Sequence, residues 1–556
     1  MYNKSMKITV KGPNLSEQTI ERPFGIRVED ILNDFKDQMP YPIYACKLDN
    51  AYRALTHQIS HDSSIEFLDL RNQATWLIYQ NSLILLFSKA LHTLLGKKIR
   101  FNVRNSLNKG LYITTSRELD EEDLKQIEEE MWKLVYENIP IVKVYRKRKD
   151  TMKIARELGQ QETYKILKTL PKIQDLTIYS LADEKLIFYS LAVPSTSYLQ
   201  YFELRKYKHG LLLRFPHQKS PTALMPFNDE EILYDAFRQT YNWGHITGIK
   251  YISDMNEKAG EDHEDLFLLQ EALHNKRINE LSDDIIRRKD RIVLICGPSS
   301  SGKTTFAKRL CIQLRANGKK TLYLGTDDYF LERDETPLDE NGEKDFESIN
   351  AVDTALFTSD MNKLLKGEKT DIPAFDFIQG KKIFGTRITK IDENTIIVIE
   401  GIHGLNPKLT EGIPDETKYK IYISPFSPVS LDRINRFPTT DARMLRRLVR
   451  DYQFRGRSAR DTLRDWPKVR AGEDNNIFPL SREADAFFNS NCIYELPVLK
   501  KYAEALLLDI KREEPEYAEA QRMLGYLNFV CSIEDDDLIV NNSIIREFIG
   551  GSAIVK

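Results

Sequence analysis

Arg291-Ile-Val-Leu-Ile-Cys296, Gly297-Pro-Ser-Ser-Ser-Gly-Lys303-Thr304 and Phe306-Ala-Lys-Arg-Leu-Cys-Ile-Gln-Leu-Arg-Ala316 follow one another along the chain. The first reads as a fully buried strand, the last as a helix. The stretch between them fits G-x-x-x-x-G-K-[ST] in the strand–loop–helix context that this pattern requires. Glycines let such a loop curl, so that its N–H groups converge on a phosphate, and the following helix N-terminus adds partial positive charge. Gly297, Ser299, Ser300, Ser301, Gly302, Lys303, Thr304 and Thr305 are therefore the predicted phosphate cradle. Lys303 is placed to reach the β- and γ-phosphates, and the Thr304 hydroxyl to meet Mg²⁺. The motif predicts nucleoside triphosphate binding and leaves the subsequent chemistry open.

Outward from the loop, apolar strands Thr321–Gly325, Thr395–Glu400 and Tyr419–Ser424 alternate with helical segments. That alternation predicts a parallel α/β sheet over residues 291–500. Acids at the C-terminal ends of such strands sit at the ligand edge. Asp327, just past Thr321–Gly325, is the candidate base for a substrate hydroxyl, with a helix cap or turn as the plain alternative. Glu400, closing Thr395–Glu400, is the candidate magnesium-associated acid. Phe375 and Phe377 flank Asp376 after a proline, which suits a stacked base or an exposed turn anchored by core aromatics. Asp441–Arg470 holds nine arginines against four aspartates. Its spacing puts Arg443, Arg446/Arg447 and Arg450 on one helical face and Leu445, Leu448, Val449 and Tyr452 on the other. Guanidinium forks suit oxyanions, so a lid over the transferring phosphoryl group is one reading. A solvated helix or a nucleic-acid patch is the other.

The whole chain has 556 residues, with 81 Lys+Arg against 83 Asp+Glu and a formal net charge of −2. Near-neutrality removes a global argument for nucleic-acid or membrane binding. Five scattered cysteines with no CxxC exclude a disulfide framework and a cysteine-rich zinc module. No apolar run approaches the ~20 residues of a bilayer span, and MYNKSMKITV lacks the pattern of a secretion signal. A cytoplasmic protein without membrane partners is expected. Residues 1–72 read as a small α+β unit, with strands Met6–Val10 and Ser64–Leu68 and a helix over Val28–Phe35. Helices over Leu77–Leu95 and Glu121–Asn138 and a strand at Leu111–Thr115 follow. The basic run Tyr145–Lys149 reads as solvated surface. Residues 150–285 are strand-rich (LTIYSL, LIFYSLAV, GLLLRF), then helical, and 501–556 form a helical, then irregular, tail.

Two resemblances emerge from these residues. GPSSSGKTT, LGTDDYF, DFESINAVD, IPAFDF, VIEGI and DARMLRRLVRD-x₄-GR, in this order, resemble the uridine kinase and phosphoribulokinase family of P-loop kinases over about Arg291–Leu499. The resemblance implies an α/β P-loop domain over 286–500. It implies Asp327 as the base at a nucleoside 5′-hydroxyl, Phe346 and Glu347 at the ribose, Phe375 and Phe377 at the base, and Glu400 with Mg²⁺. Arg443 and Arg446 fall in the lid. The family pattern is broken at Glu347, where Asp is usual, and at Gly380, where a base-reading histidine is usual. Residues 1–72 resemble a TGS domain, a ubiquitin-like fold. Residues 73–285 begin like the editing domain that follows it in threonyl-tRNA synthetases. Of that domain's His-Ser-x-x-His motif, Asn81-Ser82-Leu83-Ile84-Leu85 keeps neither histidine, and His92 is expected to be an ordinary surface or interface residue.

The expected protein is thus multidomain: an α+β N-terminal region followed by a parallel-sheet kinase domain. The expected activity is transfer of the γ-phosphoryl group of ATP or GTP, with Mg²⁺, to a nucleoside, uridine or cytidine foremost. A kinase of another small alcohol such as a phosphorylated sugar, and an RNA- or ribosome-associated NTP switch, stand as alternatives. An RNA or regulatory ligand at the N-terminal region and a homo-oligomer are further expected partners.

Overall fold

The computed structural model describes residues 5–555, except 174, 262, 339–341 and 428. Strands β1 (Ser5–Gly12) and β2 (Leu15–Pro23), helix α1 (Val28–Leu32), and strands β3 (Ile43–Leu48), β4 (Ala51–Arg53) and β5 (Ser63–Asp69) form one mixed sheet in the order β2-β1-β5-β3-β4. Along β1 the period of two puts Met6, Ile8 and Val10 inside and leaves Ser5, Lys7 and Lys11 exposed. Val28, Ile31 and Leu32 of α1 close that core.

The next region is built on α2 (Gln73–Leu95), capped at its start by the Asn72 side chain. Strands β6 (Phe101–Leu107) and β7 (Gly110–Thr115) follow, then α3 (Glu121–Tyr136). Asp120 and Asp123 form a capping box for α3, which buries Leu124, Ile127, Met131, Leu134 and Val135 as its spacing predicts. Then come β8 (Ile141–Lys147), α4 (Arg148–Glu157), α5 (Gln161–Thr169), β9 (Asp175–Leu181), β10 (Glu184–Ile187), β11 (Glu203–Tyr207) and β12 (Gly210–Arg214). They complete two antiparallel sheets, β10-β9-β8 and β11-β12-β7-β6. The run LIFYSLAV is strand only at its start. Beyond Ile187 it is buried coil, its Val193 N–H held by the Ser82 hydroxyl at 3.0 Å, so its apolar content reflects burial and not ladder pairing. The basic run Tyr145–Lys149 ends β8 and opens α4.

Helices α6 (Glu231–Thr247), α7 (Ile252–Glu261) and α8 (His263–Arg288) lead into β13 (Ile292–Cys296), α9 (Lys303–Ala316) and β14 (Lys320–Gly325). After α10 (Thr354–Leu365), strands β15 (Thr370–Asp371), β16 (Ala374–Asp376), β17 (Lys381–Ile383) and β18 (Ile388–Thr389) make two short hairpin pairs. Strands β19 (Thr395–Glu400) and β20 (Lys418–Ser424), helices α11 (Thr439–Phe454) and α12 (Ala459–Asn476), and β21 (Ala486–Asn489) finish a parallel sheet in the order β14-β19-β13-β20-β21. Every residue of β13 is buried because both faces are covered. Val293 and Ile295 join the core under α8, α9 and α11, while Ile292 and Leu294 join the one under α10.

Asp441–Arg470 forms two helices: Gly456, at φ 61°, lies between them and Ser458 caps the second. Residues 501–556 are helical and then largely irregular, and they are packed into the molecule. Helix α13 (Glu495–Leu508) crosses residue 501; α14 (Tyr517–Leu527) puts Met523, and α15 (Arg546–Ile549) with the two residues before it puts Ile544, Ile545 and Phe548, into the same core as the central sheet. Among the described residues no helix is long and apolar enough to cross a membrane.

Candidate active site

The loop after β13 fits only because Gly297 lacks a side chain: a Cβ there would lie 2.2 Å from the Ile423 carbonyl oxygen. The curl brings Lys303 back over its own loop, where its Nζ donates to the carbonyls of Gly297 and Pro298 at 2.9 and 3.2 Å. Parallel register sets Glu400 opposite Gly325 on one side and Ile295 on the other. Its carboxylate therefore emerges beside the cradle, where the Thr304 hydroxyl and the Tyr323 phenol both donate to Oε1, at 2.9 and 3.1 Å. A hydroxyl and a carboxylate side by side are a hard oxygen pair of the kind Mg²⁺ takes, with water completing the shell.

Asp327 follows β14, one strand from Glu400. The residue is exposed to solvent yet has protein crowded around its carboxyl. Desolvation, then the charge of Glu400, push its carboxyl up to about 6, against the pull of Lys303. Glu347, where Asp is usual in the resembling family, is pushed up to about 7 by burial and by Glu473, with Arg447 and Lys303 opposing. Lys303 thus acts on both Asp327 and Glu347.

The predicted lid arginines lie elsewhere than over the cleft. Arg443 is 1% exposed and Arg446 0%. Arg443 forks onto Glu473 of α12, at 2.8 Å for one arm, and donates to the Ser299 carbonyl at 3.1 Å. Arg446 pairs with Glu495 and donates to the Ser490 and Ser300 carbonyls. Arg447 reaches the Ser299 hydroxyl at 2.9 Å. The arginine face of α11 therefore grips the back of the cradle, while Tyr452, expected on the apolar face, is exposed. Burying two guanidiniums requires carboxylate partners, and α12 and the Ser490–Glu495 segment supply them.

Two carboxylates occupy cradle donors. The Ser299 N–H donates to Glu473 at 2.9 Å. The Thr305 N–H and hydroxyl donate to Glu547 of α15 at 3.1 and 2.6 Å. Burial alone would raise Glu473; Arg443 and Arg470 outweigh it and hold the group below the usual carboxylate range. Neither glutamate carries a local sequence signal, since each lies more than a hundred residues beyond the loop.

Phe375 and Phe377 meet edge to face at 5.2 Å, and Phe330 stands 5.8 and 6.5 Å from them. Phe346 adds a fourth ring 5.9 Å from Phe330. Phe377 and Phe346 are exposed at 61% and 39%, while Phe330 is buried in the core under α10 and Phe375 packs against that core, so the cluster is a wall anchored in the core with two rings open to solvent. Phe330 was legible only as part of LGTDDYF. Gly380, at φ 69°, accepts the Arg333 N–H at its carbonyl, and a Cβ there would sit 2.7 Å from the Arg333 Cβ. Arg333 also donates to the Phe377 carbonyl at 2.9 Å. An arginine thus fills the space beside the position where a base-reading histidine was expected. Asp328 is held by Arg387 at 2.6 Å.

Elsewhere, Glu271, His274 and Cys492 bring ligand atoms within 4.8 Å of one another. Arg309 bonds Glu271 at 2.9 Å and, with Arg446, places positive charge on the trio, which disfavours a cation. His92 pairs with Glu184 at 3.0 Å and bonds the Ile99 carbonyl, a structural role.

Residues 292–493 match the model of the Phosphoribulokinase / Uridine kinase family. The chain is 28% identical over 195 residues to the uridine kinase of Clostridium tetani, covering 35% of this chain and 84% of that one. With the uridine kinase of Leuconostoc citreum it shares 26% over 175 residues, covering 32% and 75%. The N-terminal region is similar to threonine–tRNA ligases: 28% over 182 residues with that of Listeria welshimeri, 32% of this chain but 28% of the ligase. A solved structure described as a possible uridine kinase from Bacillus stearothermophilus aligns at 25% identity with 26% of this chain and 79% of that one, TM-score 0.23.

Proposed function

We propose that this protein is a nucleoside kinase that moves the γ-phosphoryl group of ATP or GTP to the 5′-hydroxyl of a nucleoside, uridine or cytidine foremost. The observation that carries the reading is the strand-tip row: Thr304 bonded to Glu400, with Asp327 one strand away and Lys303 between them and the loop. Uridine kinases among the relatives and the aromatic wall opposite support a flat-ringed acceptor.

Thr304 and Glu400 would hold Mg²⁺, which when bound neutralises charge on the β- and γ-phosphates. Asp327 accepts the proton of the acceptor hydroxyl as its oxygen attacks the γ-phosphorus in line, and the bond to the β,γ-bridging oxygen breaks. Lys303 leaves its loop carbonyls for the phosphates. Arg443 and Arg446 hold the Ser299 and Ser300 carbonyls, and Arg447 the Ser299 hydroxyl, which fixes the back of the cradle. Their part is positioning, and the gain comes from pre-set geometry and electrostatics. Phe375 and Phe377 line the base with Phe330 buried behind them, Phe346 and Glu347 meet the ribose, and Arg333 offers donors to base carbonyls. We assign residues 1–72 and 73–285 to TGS-like and synthetase editing-like units; the β2-β1-β5-β3-β4 sheet and the threonine–tRNA ligase similarity support this.

The test is a nucleoside panel with ADP release as the readout. Uridine or cytidine should give saturable release, and Asp327→Asn should lower kcat about 10²- to 10⁴-fold with the fold intact. Release that is independent of any nucleoside but stimulated by RNA would overturn this reading in favour of an RNA-linked switch, which the ligase-like N-terminal region suggests. Turnover of a phosphorylated sugar alone would favour the other alternative.

A further inference from the structure

A wide cavity lies away from the cradle. A cleft of about 1130 Å³ separates the N-terminal units from α14 and the segment that follows it. Its charge is lopsided. Arg53, Lys143, Lys172, Lys500, Arg512 and Arg522 line it, against Glu504 and Glu534. Lys500 pairs with Glu504, and Arg522 with Asp441 and Glu519. Among the described residues Arg53, Lys143, Lys172 and Arg512 have no carboxylate within ion-pair distance. Four cations thus line one cleft without an ion pair, an excess over its two carboxylates that raises local anion concentration. Between them the walls are aromatic: Tyr52, Tyr517 and Tyr526 near Arg522, and Tyr189 against Phe529 at 4.2 Å. Flat rings lining a cleft that also holds unpaired cations suit a ring-bearing anion.

The wall of this cleft is bonded to the cradle. The Tyr52 phenol donates to Glu519 at 2.9 Å, and Arg522 donates to Glu519 at 2.7 Å. Arg522 also forks onto Asp441 at 2.6 and 2.8 Å. Asp441 sits in the first turn of α11, two residues before Arg443 and five before Arg446, which hold the Ser299 and Ser300 carbonyls. The path from an N-terminal strand to the phosphate loop therefore runs through hydrogen bonds to Asp441, then along the first turns of α11, then through hydrogen bonds to the loop.

We propose that this cleft is an effector site for an anion carrying a flat heteroaromatic ring, a nucleotide, and that its occupancy alters the cradle's grip on the donor through Tyr52, Glu519, Arg522 and Asp441. The binding half stands without the kinase assignment; the coupling half rests on it. A ligand that draws Arg512 and Arg53 together also brings β4 toward α14, which loads the Tyr52–Glu519 bond. A coupling of this kind is reciprocal, so donor binding tightens or weakens the effector by the same factor.

Calorimetry on the full chain separates the two halves. ATP, GTP, CTP, UTP and the corresponding monophosphates are titrated into the unaltered protein, into Lys303→Ala, and into Lys172→Gln/Arg512→Gln. The expected result is a nucleotide-binding event that survives Lys303→Ala and weakens at least tenfold in the double variant. Both substituted side chains of that variant are exposed, so basal nucleoside phosphorylation should be unchanged. Tyr52→Phe should keep the binding event and lose the nucleotide's effect on donor KM. If every binding event disappears with Lys303→Ala, or pyrophosphate binds the cleft as tightly as any nucleotide, the effector site is refuted, whether or not the protein phosphorylates nucleosides. If binding persists but neither Tyr52→Phe nor the double variant changes the donor KM response, the coupling is refuted.

Discussion

At the residue scale, Asp327 combines accessibility with a raised carboxyl. The group is protonated below about 6 and then cannot take a proton from an alcohol. Nucleoside kcat/KM should therefore fall as pH drops through about 6 in the free enzyme. In kcat the limb should move to lower pH, because a bound cation favours the carboxylate. Steady-state pH profiles check this, and an unchanged limb in a residual-activity Asp327→Asn profile would contradict it. Arg333 is the second residue with a specific consequence. If its guanidinium meets a base carbonyl, Arg333→Ala should raise nucleoside KM roughly tenfold, the worth of one hydrogen bond to a charged group, and leave donor KM unaltered. Asp327 was legible from its place after an apolar strand. Arg333 was not, because what singles it out is the side-chain-free space at Gly380, and that meeting exists only in three dimensions.

At the element scale, α15 and α11 both reverse a local expectation. The amphipathic spacing of α11 was read correctly as a stripe of arginines, yet the stripe faces inward. Spacing reports which residues share a face, not what that face meets, and Glu473 and Glu495 arrive from other elements to neutralise it. Helix α15 brings Glu547 onto Thr305, a donor that a phosphate would otherwise use. A carboxylate there repels the donor. Glu547→Gln keeps the hydrogen-bonding shape and removes the charge, so donor KM should fall about three- to tenfold with kcat unchanged. Initial-rate measurements over a donor titration decide it; a raised KM would mean that Glu547 assists binding.

At the scale of the whole molecule, the C-terminal helices join the N-terminal units to the kinase-like sheet. The bidentate Arg522–Asp441 pair is the joint, with Asp441 1% exposed. Arg522→Leu leaves that carboxylate buried and alone, which should cost about 3–5 kcal/mol. Denaturant unfolding should show it as a lower midpoint, and a change below 1 kcal/mol would mean that water replaces the guanidinium. The sequence by itself determined the phosphate loop, the parallel sheet behind it and the acids at its strand tips, because each depends on residues within a few positions of one another and on periods of two or 3.6. Tertiary structure alone decided which way the arginines face, which carboxylates sit on the loop, and where a cation-lined cleft opens. Those outcomes rest on charges brought together from segments tens to hundreds of residues apart, and their pairing energy appears only when burial removes the water between them.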